Sequence, residues 1–340
     1  MALLFDKHRL LVSPSLAPTD LREEDKLFGR RKSDRVVTIG LINNMPDPAL
    51  QATERQFMRL LTAGAGGYRI HFHCFSLPSV TRSRPAKQRI EAHYTDIADL
   101  DRLPIDGLIV TGAEPNAAKL DGEAFCRDLT DIIDWAKDHT RSAIWSCLAA
   151  HAAVLHLDGI ERNRLETKCS GIYNCAAVSS HWLTDGLPPT FKVAHSRLNE
   201  LHTDDLMAKG YELLSLSRKA GVDTFAKDFG SQFVFFQGHP EYEALSLERE
   251  YLRDISRFLS GERDSYPGIP VGYFDAETEQ QLVAFAARAQ TERRPSLSIE
   301  LPDRNLRQDN TAGAAASVMY RNWIDFLAER THAASTHTSL

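Results

Sequence analysis

Two short stretches of this sequence could together move an acyl group. The first is Cys147, preceded by the apolar run Ser142-Ala143-Ile144-Trp145 and followed by Leu148-Ala149-Ala150-His151-Ala152-Ala153-Val154-Leu155, whose alanine content predicts a helix. A cysteine at a strand-to-helix turn stands above the sheet, and the helix N-terminus favours its thiolate, the form that attacks carbonyl carbon. The turn also aims free backbone N–H groups at a developing oxyanion, that of Leu148 first among them. The second stretch is Gly238-His239-Pro240-Glu241-Tyr242, at the end of the strand-like run 233–237. His239 and Glu241 share one side of an extended segment, so the carboxylate reaches the imidazole nitrogen turned away from the thiol and fixes its tautomer. Either stretch alone is a weak signal, because most free cysteines are packing residues. Both together, in this order and each at the end of a predicted strand, point to Cys147 as nucleophile, His239 as its base and Glu241 as the group that orients the base.

Such groups need a sheet to hold them at one edge, and the sequence supplies it. Residues 36–42 read as a buried strand, and Asp47-Pro48 as the start of a helix that puts Leu50, Phe57, Leu60 and Leu61 on one face until Gly64. Residues 68–75 alternate Ile70, Phe72 and Cys74 against His71 and His73, which predicts a half-buried strand with both histidines toward solvent. Gly107 to Thr111 is a further strand, followed by a helix burying Phe125, Leu129, Ile132 and Ile133. Other strands are expected at 191–195, 211–217 and 221–226, with a helix near 245–260 and a last amphipathic helix around Val318, Trp323, Ile324, Phe326 and Leu327. Repeated strand-helix alternation predicts an α/β fold, a mostly parallel sheet with helices on both faces. The domain is expected over 35–275, behind a polar N-terminal extension (1–34) and ahead of a C-terminal extension (276–331); the tail 332–340 is expected to be disordered.

Composition narrows the class further. The chain has 340 residues, is 43% hydrophobic and 25% charged, and carries a net charge of −6 without a long basic run, which argues against nucleic acid as partner. No stretch approaches the ~20 apolar residues of a membrane span, and charge interrupts the N-terminus too early for a secretory signal, so a cytoplasmic location is expected. Five cysteines (Cys74, Cys126, Cys147, Cys169, Cys175) with no CxxC pair fit neither a disulfide framework nor a structural zinc site. No metal cluster, Walker-type phosphate loop or nicotinamide fingerprint is present in the sequence, so no held cofactor is expected.

Further segments carry a family resemblance: Leu41-Ile42-Asn43-Asn44-Met45-Pro46, Thr53 to Leu61, Gly107 to Ala113, Cys147, Lys168, His195-Ser196-Arg197 and Gly238 to Tyr242. From about Val36 to Tyr273 the chain resembles the homoserine O-acyltransferases related to class I glutamine amidotransferases, which acylate homoserine for methionine synthesis. The resemblance implies a flavodoxin-like sheet, a homodimer, acyl-CoA and homoserine as small-molecule substrates, and Cys147, His239 and Glu241 as the triad. It also implies Arg253 as the residue holding the amino acid's carboxylate, with Lys168 and Ser196 as substrate contacts.

Where the family has Trp and Gln after the cysteine this chain has Leu148 and His151, and it has Ala194 where a proline is usual. Leu148 keeps its N–H for the oxyanion; His151 reads as a packed or substrate-facing residue rather than a second base. The position that separates acetyl from succinyl donors, glutamate in the one and glycine in the other, falls on Asn116. A neutral amide can donate hydrogen bonds to the free carboxylate of a succinyl group, which favours succinyl-CoA. Acetyl-CoA as donor, serine as acceptor, and glutamine hydrolysis on the same scaffold remain as alternatives; the elbow Trp-Ser-Cys-Leu-Ala lacks the Gly-x-Cys-x-Gly of amidotransferases.

Overall fold

The fold is described from a computed structural model, over residues 35–113, 119–308 and 312–329 together with the backbone of strands at 4–6 and 9–12. The strands are β1 (Leu4–Asp6), β2 (Arg9–Val12), β3 (Val36–Ile42), β4 (Arg69–Phe75), β5 (Gly107–Thr111) and β6 (Ser142–Ser146), then β7 (Asn163–Ala177), β8 (Thr190–Glu200), β9 (Glu212–Ser217), β10 (Gly221–Asp228) and β11 (Gln232–Phe236). The helices are α1 (Leu50–Gly64), α2 (Arg84–His93), α3 (Cys126–His139), α4 (Leu148–Asp158), α5 (Thr203–Ala208), α6 (Ser246–Leu259), α7 (Ala276–Glu292) and α8 (Ala312–Glu329). One sheet runs in the order β1-β2-β4-β3-β5-β6-β11-β10-β9-β7-β8.

Its centre, β4-β3-β5-β6-β11, is parallel throughout, as strand-helix alternation demands. Alternate residues of these strands leave on opposite faces. Ile39, Leu41, Ile109, Ile144 and Val234 meet α1 and α8 in one core, and Leu108, Val110, Ala143, Trp145 and Phe233 meet α3 and α4 in another. Buried on both faces, the central strands carry continuous apolar runs, which is why they were legible. A third core joins α6 to α7 around Tyr251, Ile255, Phe258, Tyr273 and Leu282.

Beyond β11 the sheet turns antiparallel: β11-β10, β10-β9, β9-β7 and β7-β8 all pair that way. This wing contains the 15-residue β7, whose first half has no buried residue and whose buried positions alternate only at Gly171, Tyr173 and Cys175, too short a run to announce the strand. Two local readings also change. His73 is buried, its Nδ1 3.3 Å from Thr95 Oγ1 and its ring stacked on Phe75, where the segment after α2 crosses β4 and the Thr95 N–H donates to the Cys74 carbonyl. Asp47 does not cap α1; it opens a one-turn 3-10 helix and its carboxylate accepts from the Ser83 N–H at 2.8 Å.

The last helix is part of the main core. Trp323 on α8 is fully buried, and its indole N–H donates to Ser142 Oγ at 2.9 Å, reaching the strand that leads to Cys147. Trp323→Ala is therefore expected to lower the unfolding free energy by about 3–5 kcal/mol in urea titration. A loss under about 1 kcal/mol, the size of an ordinary surface change, would show that α8 is only loosely docked.

Candidate active site

Cys147 sits between the end of β6 and the first residue of α4, at φ 52° and ψ −110°. Among the described residues, Arg293 is the one other non-glycine with positive φ. A side chain held in so unfavourable a region marks a functional turn, here a nucleophile elbow. The turn is pinned: the Cys147 N–H donates to the Phe236 carbonyl at 2.7 Å, joining the ends of the two neighbouring parallel strands β6 and β11. Leu148 is the first helical residue, so its N–H has no acceptor within α4 and remains available for an oxyanion. The approach is kept open by Gly112, just past β5, where an added Cβ would lie 2.5 Å from that of Leu148.

β11 runs on through Gln237 and Gly238 to His239. The His239 Nδ1 lies 2.8 Å from Glu241 Oε1, and both residues are buried. Its other nitrogen makes no hydrogen bond among the described residues, and Cys147 lies close enough to act on the ring electrostatically. Burial alone would disfavour the imidazolium, but Glu241 first and Cys147 next outweigh it and raise the His239 pKa well above the ordinary value. Imidazole and carboxylate are thus paired beside the elbow cysteine, a set of groups that can serve as orienter, base and nucleophile.

The substrate-contact candidates converge beside this set. In β7 the pairing register with β8 shifts between Arg164 and Cys169, and Lys168 lies in that irregular stretch. Its Nζ lies 3.2 Å from Glu250 Oε2 and 3.0 Å from Asp254 Oδ2, both on α6. Ser196 on β8 and Tyr242 each donate a hydroxyl to Glu250. Tyr242 in turn stacks on the His239 ring, centroids 4.2 Å apart. Arg253 shares the Asp254 carboxylate with Lys168, its Nη2 at 3.1 Å. The structure therefore brings Cys147, Leu148, His239, Glu241, Lys168, Ser196 and Arg253 to one edge of the sheet; Asn116 lies outside the described residues.

Glu250 is the hub of this wall, and sequence reading missed it. Burial opposes its charge, yet Lys168, Ser196 and Tyr242 together hold its pKa below the usual carboxylate value. The available signal was its position one helical turn before Asp254 and three residues before Arg253, facing the same way. His151, one turn after Cys147, is buried and hydrogen-bonded to Gln237 Oε1 at 3.1 Å. Burial drives its pKa down to about 3, which leaves it neutral and unsuited to act as a second base.

Fold and site together define an α/β protein with a cysteine at a nucleophile elbow and a buried His-Glu pair facing it. The family model described as homoserine O-succinyltransferase matches residues 24–333. A homoserine O-succinyltransferase of Rhodopseudomonas palustris is 54% identical over 96% of this chain and 99% of its own length. One of Bradyrhizobium japonicum is 53% identical over 97% of this chain and 100% of its own. Among solved structures, a glutamine amidotransferase of Thermotoga maritima aligns with 86% of this chain and 98% of its own at 13% identity and a TM-score of 0.47. The chain belongs to the homoserine O-succinyltransferase family. No helix among the described residues is long and apolar enough to cross a membrane.

Proposed function

We propose that this chain transfers the succinyl group of succinyl-CoA to the hydroxyl of L-homoserine, for methionine biosynthesis, through a thioester on Cys147. The observation that carries the reading is the strained elbow cysteine facing a buried His239–Glu241 pair, in a chain whose relatives are named for that reaction. His239 takes the thiol proton, and the thiolate adds to the thioester carbonyl while the Leu148 N–H receives the oxyanion. Collapse of this intermediate expels the CoA thiolate, which takes the proton from His239. The homoserine hydroxyl then gives its proton to His239 and attacks the acyl-enzyme, and Cys147 leaves as thiolate and is reprotonated.

The acceptor is a zwitterion, and the wall beside the triad offers both complements: Arg253 for its carboxylate and the ionised Glu250 for its ammonium. Lys168 and Ser196 hold Glu250 in place for that contact. Acyl-CoA enters as a substrate and no resident cofactor is required. A cytoplasmic homodimer completes the proposal.

The test is thiol release from succinyl-CoA and acetyl-CoA, each with homoserine or serine. Turnover is expected with succinyl-CoA and homoserine well above the other three pairs. Preference for acetyl-CoA or for serine would overturn the corresponding half of the assignment; glutaminase activity without transfer would overturn all of it.

A further inference from the structure

A second histidine-carboxylate pair lies behind the first. His195 on β8 and Asp223 on β10 are both essentially inaccessible to solvent, and His195 Nε2 lies 3.3 Å from Asp223 Oδ1. Neither imidazole nitrogen makes an aligned hydrogen bond among the described residues, and nor does Asp223 Oδ1, so the two side chains meet as a close polar contact. The other carboxylate oxygen accepts from Ser215 Oγ at 2.7 Å and Thr224 Oγ1 at 2.9 Å. The Tyr173 ring meets His195 edge-on at 5.6 Å. The triad uses none of these groups.

Their place in the topology gives them a role. In the ladder β8 is separated from β10 by β9 and β7, so the two strands share no sheet hydrogen bonds. They nevertheless touch, because the antiparallel wing curls until β8 returns over the end of β11. There the His239 N–H donates to the Ala194 carbonyl at 2.7 Å, beside His195, and the Gln237 N–H donates to the Asp223 carbonyl at 2.8 Å. Gly238, between those two donors, packs so closely on the pair that an added Cβ would lie 2.4 Å from Asp223 Oδ1. The base therefore hangs from the two strands that His195 and Asp223 join. The next residue on β8 is Ser196, and β8 pairs with the strand that carries Lys168.

We propose that His195 and Asp223 form a cross-tie that closes the curled wing and registers the acceptor-binding wall, Lys168, Ser196 and Glu250, against Cys147 and His239. Both are positioning residues, since neither reaches the reacting atoms. Burial opposes charge on both groups: it outweighs Asp223 and lowers the His195 pKa, whereas at Asp223 the contact with His195, and after it the Ser215 and Thr224 hydroxyls, prevail over burial and lower the carboxyl pKa. A misplacement of the wall should harm the step in which homoserine attacks far more than the step in which CoA leaves, because only the former uses the wall.

The inference rests on Cys147 being the acyl carrier, and one experiment separates the two claims. Rapid-quench mixing of enzyme with succinyl-CoA alone reads acylation as a burst of CoA thiol, and later addition of homoserine reads transfer. A burst in the wild type that Cys147→Ala lacks secures the carrier. With the carrier secured, Asp223→Asn, His195→Gln and the double variant are expected to keep the burst rate within about threefold while transfer slows about tenfold or more and the homoserine KM rises. The double variant is expected to lose no more than the worse single one, the mark of a shared interaction. Ser215→Ala, which removes one hydroxyl from the carboxylate and leaves the pair intact, should show a smaller loss with the same bias if the polar variants fail to fold. Equal losses in both steps that track the melting temperature, or unchanged transfer, would overturn the tie. So would stoichiometric zinc in the purified protein, because Cys175 brings a third potential ligand to this pair.

Discussion

Cys147→Ala is expected to lower succinyl transfer by about 10⁴-fold or more and to eliminate the covalent adduct seen by intact-mass measurement after mixing with succinyl-CoA. The size follows from the mechanism: without the sulfur, homoserine must attack the CoA thioester directly, with His239 still in place but no acyl carrier between them. The elbow supplies a control that a passive cysteine would not. Cys147 holds φ 52° against the preference of every residue with a Cβ. Glycine escapes that cost, so Cys147→Gly is expected to be equally inactive yet more stable than the alanine variant by about 1 kcal/mol in urea titration. Transfer retained in either variant would remove Cys147 from the mechanism. A glycine variant less stable than the alanine variant would mean that the strain is relieved by movement around the turn.

What could be read in advance, and what could not, divides along the sheet. Its parallel centre was legible because both faces are buried, so β3, β5, β6 and β11 are apolar runs that composition alone exposes. The turn carrying Cys147 and the segment carrying His239 and Glu241 follow directly from those runs, and so the triad candidates were legible too. The antiparallel wing was only partly so. β7 is exposed or half-buried from Asn163 to Ser170 and alternates only over Gly171, Tyr173 and Cys175, so most of its length has no period to detect. That loss hid the chemistry it positions: Lys168 was placed by resemblance alone, and Glu250, which gathers Lys168, Ser196 and Tyr242, looked like one acid among several on an amphipathic helix. The α7 helix was missed for a related reason. Its core-facing Leu282, Phe285 and Ala289 are diluted by charged and amide residues that face away. The His195–Asp223 contact depends on how far the wing curls, a tertiary property that no local pattern encodes.

Glu241→Gln is expected to lower kcat/KM by roughly 10³–10⁴-fold with little change in overall structure, a loss close to that of an oriented-base replacement in a hydroxyl triad. Two effects combine. The carboxylate accepts the Nδ1 proton at 2.8 Å and so leaves the other nitrogen free to take a proton from Cys147. A glutamine amide can turn its NH₂ toward Nδ1, which favours the opposite tautomer and points an N–H at the sulfur. The second effect is charge. Burial pulls the His239 pKa down, while Glu241 first and Cys147 next pull it up, so removing Glu241 must move it down. The sign also fixes a stability window: a histidine raised above its unfolded value near 6.5 contributes stability in full below that pH, and the contribution is lost as pH climbs toward the raised folded value. The wild type should therefore lose stability between neutral and alkaline pH relative to Glu241→Gln, whose curve should be flatter there. Imidazole resonances followed by NMR through a pH titration give the direct check: His239 should titrate lower in Glu241→Gln than in Cys147→Ala, and lower in both than in the wild type. A titration unmoved by Glu241→Gln would mean that the carboxylate only holds the ring in place, and the predicted loss of rate would then have to come from the tautomer alone.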